Sequence, residues 1–106
     1  MTWNIQFYDG VDEQILALPV KIEARFIRIM ELMEEHGANL GSPHTKSLGH
    51  GLFEIRAKAK EGIARGIFCY LKGNNIIIVH AFIKKTQKTP GKELALARKR
   101  MKEVTL

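Results

Sequence analysis

The stretch Ile76–Ile83 (IIIVHAFI) constrains this chain more than any other. It is almost continuously apolar and rich in β-branched residues, as expected for a central strand covered on both faces. It is also too short to cross a bilayer, which takes about 20 apolar residues. Even the longer uncharged run Gly73–Ile83 holds Asn74, Asn75 and His80.

The remaining elements are read around that strand. Trp3, Ile5 and Phe7 alternate with Asn4, Gln6 and Tyr8, the period of a strand with one buried face. Asp9-Gly10 turns the chain, and Val11, Ile15 and Leu18 keep helical spacing until Pro19, which cannot donate to a helical ladder. Ile22, Phe26, Ile29, Met30 and Met33 then form one stripe of a helix over about Val20–His36, and Gly37 suits its C-terminal cap. The segment from Gly37 to Gly51 is rich in Gly, Ser, Pro and Asn and reads as a long loop. Leu52–Lys58 alternates, Ile63–Leu71 is β-rich between Gly62 and Gly73, and Asn74-Asn75 sits where a hairpin turn belongs. Thr89-Pro90 offers an N-cap and a first-turn proline for a last helix striped by Leu94, Ala97, Met101 and Val104. The expected order is β-α-α-β-β-β-α, an α+β fold in a single domain over residues 1–106, with two helices on one face of the sheet and a meander in its last three strands.

Charge is distributed unevenly. Residues 1–53 carry four Lys/Arg against seven Asp/Glu, a net −3, whereas residues 54–106 carry thirteen against four, a net +9. Such a basic half attracts polyanions over a screening length of about 8–10 Å, and nucleic acid is the partner it fits best. The alternative is a solvated basic face. With 45% apolar and 26% charged residues the balance is globular. One cysteine, Cys69, excludes an intrachain disulfide and a Cys-rich zinc site, and the N-terminus shows no secretion signal. These features point to a cytoplasmic protein that does not associate with membranes.

Alternation places Glu54, Arg56 and Lys58 on one face of their strand and Phe53 and Ile55 on the other. If Phe53, Ile55, Phe68 and Tyr70 meet the helices, Arg56 and Arg65 project from the same open face. Lys84 and Lys85 point to opposite sides, so one of them joins that face, and Lys88 lies just beyond. Cations around a concave sheet can grip a phosphate and stabilise charge on a pentacoordinate phosphorus. Lys58, Lys84 and Lys88, with His44 and Lys46 from the loop, are the candidate RNA contacts; His50 shares that loop. No His or Cys spacing suggests a metal site, no phosphate-binding glycine motif is present, and no cofactor is expected. Cys69 in an apolar strand reads as a buried thiol rather than a nucleophile, and His80 as a satisfied sheet histidine.

Leu52-Phe53-Glu54-Ile55-Arg56, Arg65 in the following strand, and His80-Ala81-Phe82-Ile83-Lys84-Lys85-Thr86-Gln87-Lys88-Thr89-Pro90 ahead of a basic helix resemble the RelE/ParE toxin superfamily. Within it, they resemble the phage-derived branch that includes HigB-type toxins. This resemblance covers essentially the whole chain. It implies a RelE-like fold, two N-terminal helices on a small antiparallel sheet, and a toxin paired with an antitoxin, often a helix-turn-helix (HigA-like) protein. It also implies ribosome-dependent cleavage of mRNA without a metal, by attack of the 2′-hydroxyl on the adjacent phosphate.

Carried over by position, Arg65 matches the family's phosphate-binding strand arginine. Arg56 falls where a catalytic lysine is often found, and Lys85 where an arginine serves. Some relatives have a tyrosine in or beside the last helix, but Pro90–Leu94 contains none. Glu54 or a lysine of lowered pKa is then the candidate base, and the plainer role for Glu54 is charge partner of Arg56 or Lys58. Two other readings share these features, a ParE-like inhibitor of DNA gyrase and a non-catalytic nucleic-acid-binding module.

Overall fold

A computed structural model describes residues 2–84 and 90–105. The elements run β1 (Asn4–Phe7), α1 (Val11–Leu16), α2 (Val20–His36), β2 (Thr45–Gly49), β3 (Leu52–Ala59), β4 (Gly62–Tyr70), β5 (Asn75–Lys84) and α3 (Gly91–Val104). They build one five-stranded sheet in the order β1-β5-β4-β3-β2. The apolar strand β5 lies inside the sheet, between β1 and β4, as its composition requires.

Two features differ from the sequence expectation. The sheet is mixed rather than antiparallel, because β1 runs parallel to β5 with Asn4 opposite Asn75 and Phe7 opposite Ile78. Between β1 and β5 the chain passes through two helices and three further strands, a non-local pairing that residue periodicity does not report. In addition, the segment expected to be a loop contains β2, which pairs antiparallel with β3 and adds an edge strand to the predicted order. Thr45 anchors it: the side chain is buried, and its Oγ1 accepts the Gly41 N–H at 2.7 Å and donates to Asn39 Oδ1 at 3.3 Å.

Helices α1 and α2 lie on one face of the sheet. Ile22, Phe26, Ile29 and Met33 of α2 are buried against Ile55, Ala57, Ala64, Phe68, Ile76, Ile78 and Ala81. Helix α1 stops at Leu16, ahead of Pro19, which stands at the N-cap of α2. Gly37 ends α2 at φ 109°, a conformation that L side chains rarely adopt. Phe7 does not share the burial of Trp3 and Ile5; it is 38% exposed, beside Leu16 and Ile27.

Helix α3 covers part of the opposite face. Leu94, Ala97, Met101 and Val104 pack on Leu52, Ile67, Cys69, Ile77 and Val79, a second apolar cluster. The face opposite α1 and α2 is therefore half roofed, not open as the strand pattern alone suggested. Pro90 occupies the N-cap of α3, so the helix begins later than a Thr89 cap would place it, and Thr89 lies outside the described residues. Among the described residues, no helix is long and apolar enough to cross a membrane.

Of the nine glycines, Gly66 alone has no room for a side chain, because a Cβ there would overlap the ring of Phe26. Gly66→Ala should destabilise the protein by about 1–3 kcal/mol through overpacking, read as a lower urea midpoint. Adding Phe26→Leu, which makes room, should return part of the midpoint lost to the first change. Two costs that simply add would show that the overlap is not the cause.

Candidate functional site

The half of the second face left uncovered by α3 is organised by a break in the β4–β5 ladder. Ile67 is paired with His80 and Phe68 with Ile78, so Val79 is an extra residue in β5, a β-bulge. Residues before the bulge keep one parity and those after it the other. As a result Ile77 and Val79 face α3, and so do His80, Phe82 and Lys84. Without the extra residue, His80, Phe82 and Lys84 would point into the core under α1 and α2.

Cross-strand partners share a face, so the pairings set out the site in rows. Arg56 of β3 is opposite Arg65 of β4, which is opposite Phe82 of β5. His44 reaches the end of this row, its carbonyl accepting the Arg56 N–H at 2.8 Å. On one side lies the row Lys46, Glu54, Ile67 and His80, and on the other Lys58, Ile63 and Lys84. The structure thus brings together Arg56, Arg65, Glu54, Lys58, Lys84 and Lys46. Lys84 lies on this face by its pairing with Ile63. Lys85 and Lys88 lie outside the described residues. His50 sits at φ 54° in the β2–β3 turn, and Tyr70 packs in the core with Trp3, Phe53 and Phe68.

The electrostatic centre is Glu54. Its side chain is fully buried, and its Oε1 accepts Arg65 Nη1 at 2.5 Å and lies 3.8 Å from Arg56 Nε. The Arg65 side chain is 5% exposed and that of Arg56 is 37% exposed. Glu54 was expected on an open face; instead it lies beneath the two arginines. Burying a guanidinium requires a carboxylate in contact with it, and that contact fixes the orientation of Arg65. Arg56 and Lys58, together with Pro43 and Ile63, line a small cavity of about 150 Å³ at the edge of this row.

The aromatic and acidic margin was not predicted as part of the site. His80 Nε2 donates to Glu93 Oε2 at 2.7 Å, tying β5 to the first turn of α3. The His80 ring stacks on Phe82, with centroids 5.3 Å apart at 25°. Farther along α3, Arg100 Nη1 donates to the carbonyl of the bulged Val79 at 2.8 Å, and its guanidinium lies 4.5 Å from the Tyr8 ring centre. The Tyr8 hydroxyl donates to Glu103 at 2.5 Å, and this bond raises the phenol pKa. The one sequence signal for this margin is His80-x-Phe82-x-Lys84, whose alternation continues the pattern of a single face.

Residues 13–102 match the family of phage derived protein Gp49-like chains (DUF891). The chain belongs to that family. A comparison with curated proteins gives no match. Among solved structures, the Gp49-like chain is similar to a chain of the archaeal RelE–RelB complex from Pyrococcus horikoshii OT3, at 20% identity and TM-score 0.59, covering 80% of this chain and 98% of that one. It is also similar to a chain of the YoeB dimer from Staphylococcus aureus, at 18% identity and TM-score 0.54, covering 74% and 93%. A third similarity is to a chain of the toxin–antitoxin complex RelBE2 from Mycobacterium tuberculosis, at 14% identity and TM-score 0.53, covering 79% and 100%. The fold is that of RelE-type proteins. Among the described residues, no group of three or more His, Cys, Asp or Glu side chains is placed to hold a metal ion.

Two outcomes follow from this geometry. Glu54→Ala leaves Arg65 buried without that carboxylate and should cost about 3–5 kcal/mol in chemical denaturation, whereas Arg56→Ala, at the exposed end of a longer contact, should cost under about 1 kcal/mol. Equal costs would contradict the burial difference. Burial also raises the Cys69 thiol pKa, which keeps it protonated near neutral pH. Iodoacetamide should therefore label Cys69 only after unfolding, and rapid labelling of the native protein would reinstate it as a nucleophile.

Proposed function

We propose that this Gp49-like protein is the toxin of a type II toxin–antitoxin system, a cytoplasmic endoribonuclease that cuts mRNA on the ribosome. The observation that carries the reading is the Arg56–Arg65 cross-strand pair set over the buried Glu54 and flanked by Lys46, Lys58 and Lys84. Such an arrangement suits a phosphodiester. The 2′-hydroxyl attacks the adjacent phosphorus, the bond to the 5′-oxygen breaks, and a 2′,3′-cyclic phosphate remains. Arg65, oriented by Glu54, binds a non-bridging oxygen, and Arg56 follows the charge that builds on the phosphorane and leaving oxygen. Lys58, Lys84 and Lys46, with His44, Lys88 and Lys85, complete the cationic path, Lys85 in the role that an arginine has in the resembled family.

The burial of Glu54 supports a positioning role, since its carboxylate, with no exposed surface, is shut away from an incoming 2′-hydroxyl. The 2′-hydroxyl proton then falls to one lysine of the same face in its neutral form, and the departing 5′-oxygen takes a proton from one of the remaining ammonium groups. Few catalytic groups are needed if the ribosome orients the message, because positioning alone is worth several kcal/mol.

Similar folds solved in toxin–antitoxin complexes support an antitoxin partner for this chain. In this reading it is a HigA-like helix-turn-helix protein whose acidic segment covers the cationic face.

The burial of Arg65 determines how the proposal should be tested. Arg65→Ala removes a phosphate ligand and also takes the shortest of its contacts from the buried Glu54, so loss of activity could report loss of the fold. Arg56→Ala is the cleaner change, with an expected fall of about a hundredfold or more in cleavage rate and only a small shift of the melting curve. Cleavage is read by mapping new mRNA 5′ ends after induction in bacteria. Cuts confined to translated messages and lost in Arg56→Ala support the ribosome-dependent nuclease. Growth arrest with intact messages would replace it with the gyrase-directed reading, and neither effect would leave a binding module.

A further inference from the structure

The His80–Glu93 pair and the ring beside Arg65 add no charge for binding phosphate, yet they are built into the same face. We infer that Phe82 is a stacking platform for one unpaired nucleobase of the message, and so a determinant of which nucleotide is presented beside the scissile phosphate. The inference rests on the nuclease reading above and deepens it.

Three observations support it. Phe82 is directly opposite Arg65 in the ladder, the distance at which a base lies from its own phosphate group being comparable to a strand spacing or two. Its side chain is only partly buried at the edge of the α3 cluster, where a phenyl ring used purely as filling would be enclosed. Its ring is also fixed from one side by the parallel ring of His80, which is itself held at 2.7 Å by Glu93. A ring locked in this way loses little freedom when a base stacks on it, and stacking on an aromatic side chain accepts any base. The bulge gives the arrangement its specificity in structural terms, because it alone turns both rings out of the main core and onto the cationic face. His80 is then a positioning residue for Phe82. It lies too deep to contact RNA itself, at 8% exposure, and its Nε2 is already engaged.

The test uses bacterial ribosomes programmed with a message that carries 2-aminopurine at one position of the vacant A-site codon at a time. A 2′-deoxy nucleotide at the scissile position keeps the message intact. Stacking on an aromatic ring quenches this fluorophore. Wild type and Phe82→Tyr should quench it at one codon position, and Phe82→Leu, which keeps an apolar side chain under α3, should not. Affinity of Phe82→Leu should fall about tenfold, in the range of a lost base–aromatic stack. A second measurement needs no variant. An abasic nucleotide at the quenched position should weaken wild-type binding by a similar factor and weaken Phe82→Leu little further.

The inference is overturned if Phe82→Leu quenches like wild type, if a folded Phe82→Tyr does not quench, or if the abasic message binds wild type normally at every position. Those results, alongside an all-ribose message that wild type still cuts, would leave the nuclease reading standing. A wild-type protein that neither binds programmed ribosomes nor cuts the all-ribose message would remove both.

Discussion

The arrangement of this molecule depends on one extra residue in one strand. Val79 shifts the parity of β5, and every side chain that β5 contributes to the second face beyond that point, His80, Phe82 and Lys84, is there because of it. A bulge leaves a strand carbonyl without its ladder partner, which is costly inside a protein unless another donor supplies it. Arg100 supplies it, reaching from α3 to the Val79 oxygen while its guanidinium lies over Tyr8. Helix α3 thus does more than roof an apolar patch. It stabilises the irregularity that produces the site, at Val79 through Arg100 and at His80 through Glu93. Both acidic residues of α3 are engaged in this way, Glu93 with His80 and Glu103 with Tyr8. Lys92, Arg98, Lys99 and Lys102 are left exposed, which explains how the second half of the chain remains strongly basic at its surface.

Much of this could be read in the sequence, and the failures have distinct physical causes. The stripe of α2 and the alternation of β3 are period signals generated by one-sided burial, so they survive into structure nearly residue for residue. Strand β2 was missed because TKSLG carries no such signal; it is an edge strand held by hydrogen bonds of Thr45 rather than by apolar alternation. The parallel β1–β5 pair was missed because pairing partners far apart in sequence leave no local trace. The bulge was missed for a third reason. A strand buried on both faces is apolar at every position, so a change of parity within Ile76–Val79 is silent until the polar residues after it are located. The same silence hid the placement of Phe82 and Glu93, while the shared face of Arg56 and Arg65 was legible because they stand in strands whose alternation is intact.

The candidate site joins two requirements that usually conflict. A phosphate ligand gains from being fixed and desolvated, because a charge–charge contact strengthens as water is excluded, but a guanidinium buried without a counter-charge would not be tolerated. Glu54 resolves the conflict for Arg65 by holding Nη1 from below, with no exposure of its own. Arg56 is left with a longer, weaker contact to the same carboxylate and a side chain that still reaches solvent. The two arginines are therefore unequal. Arg65 is held in one orientation by Glu54, and Arg56 is the more exposed and less tightly held. In the proposed nuclease a phosphate would meet one rigid donor and one adaptable one, with Glu54 determining where the rigid donor points. The stability of the fold and the geometry of the site are consequently written into the same ion pair, which is why a substitution at Arg65 reports on both and a substitution at Arg56 separates them.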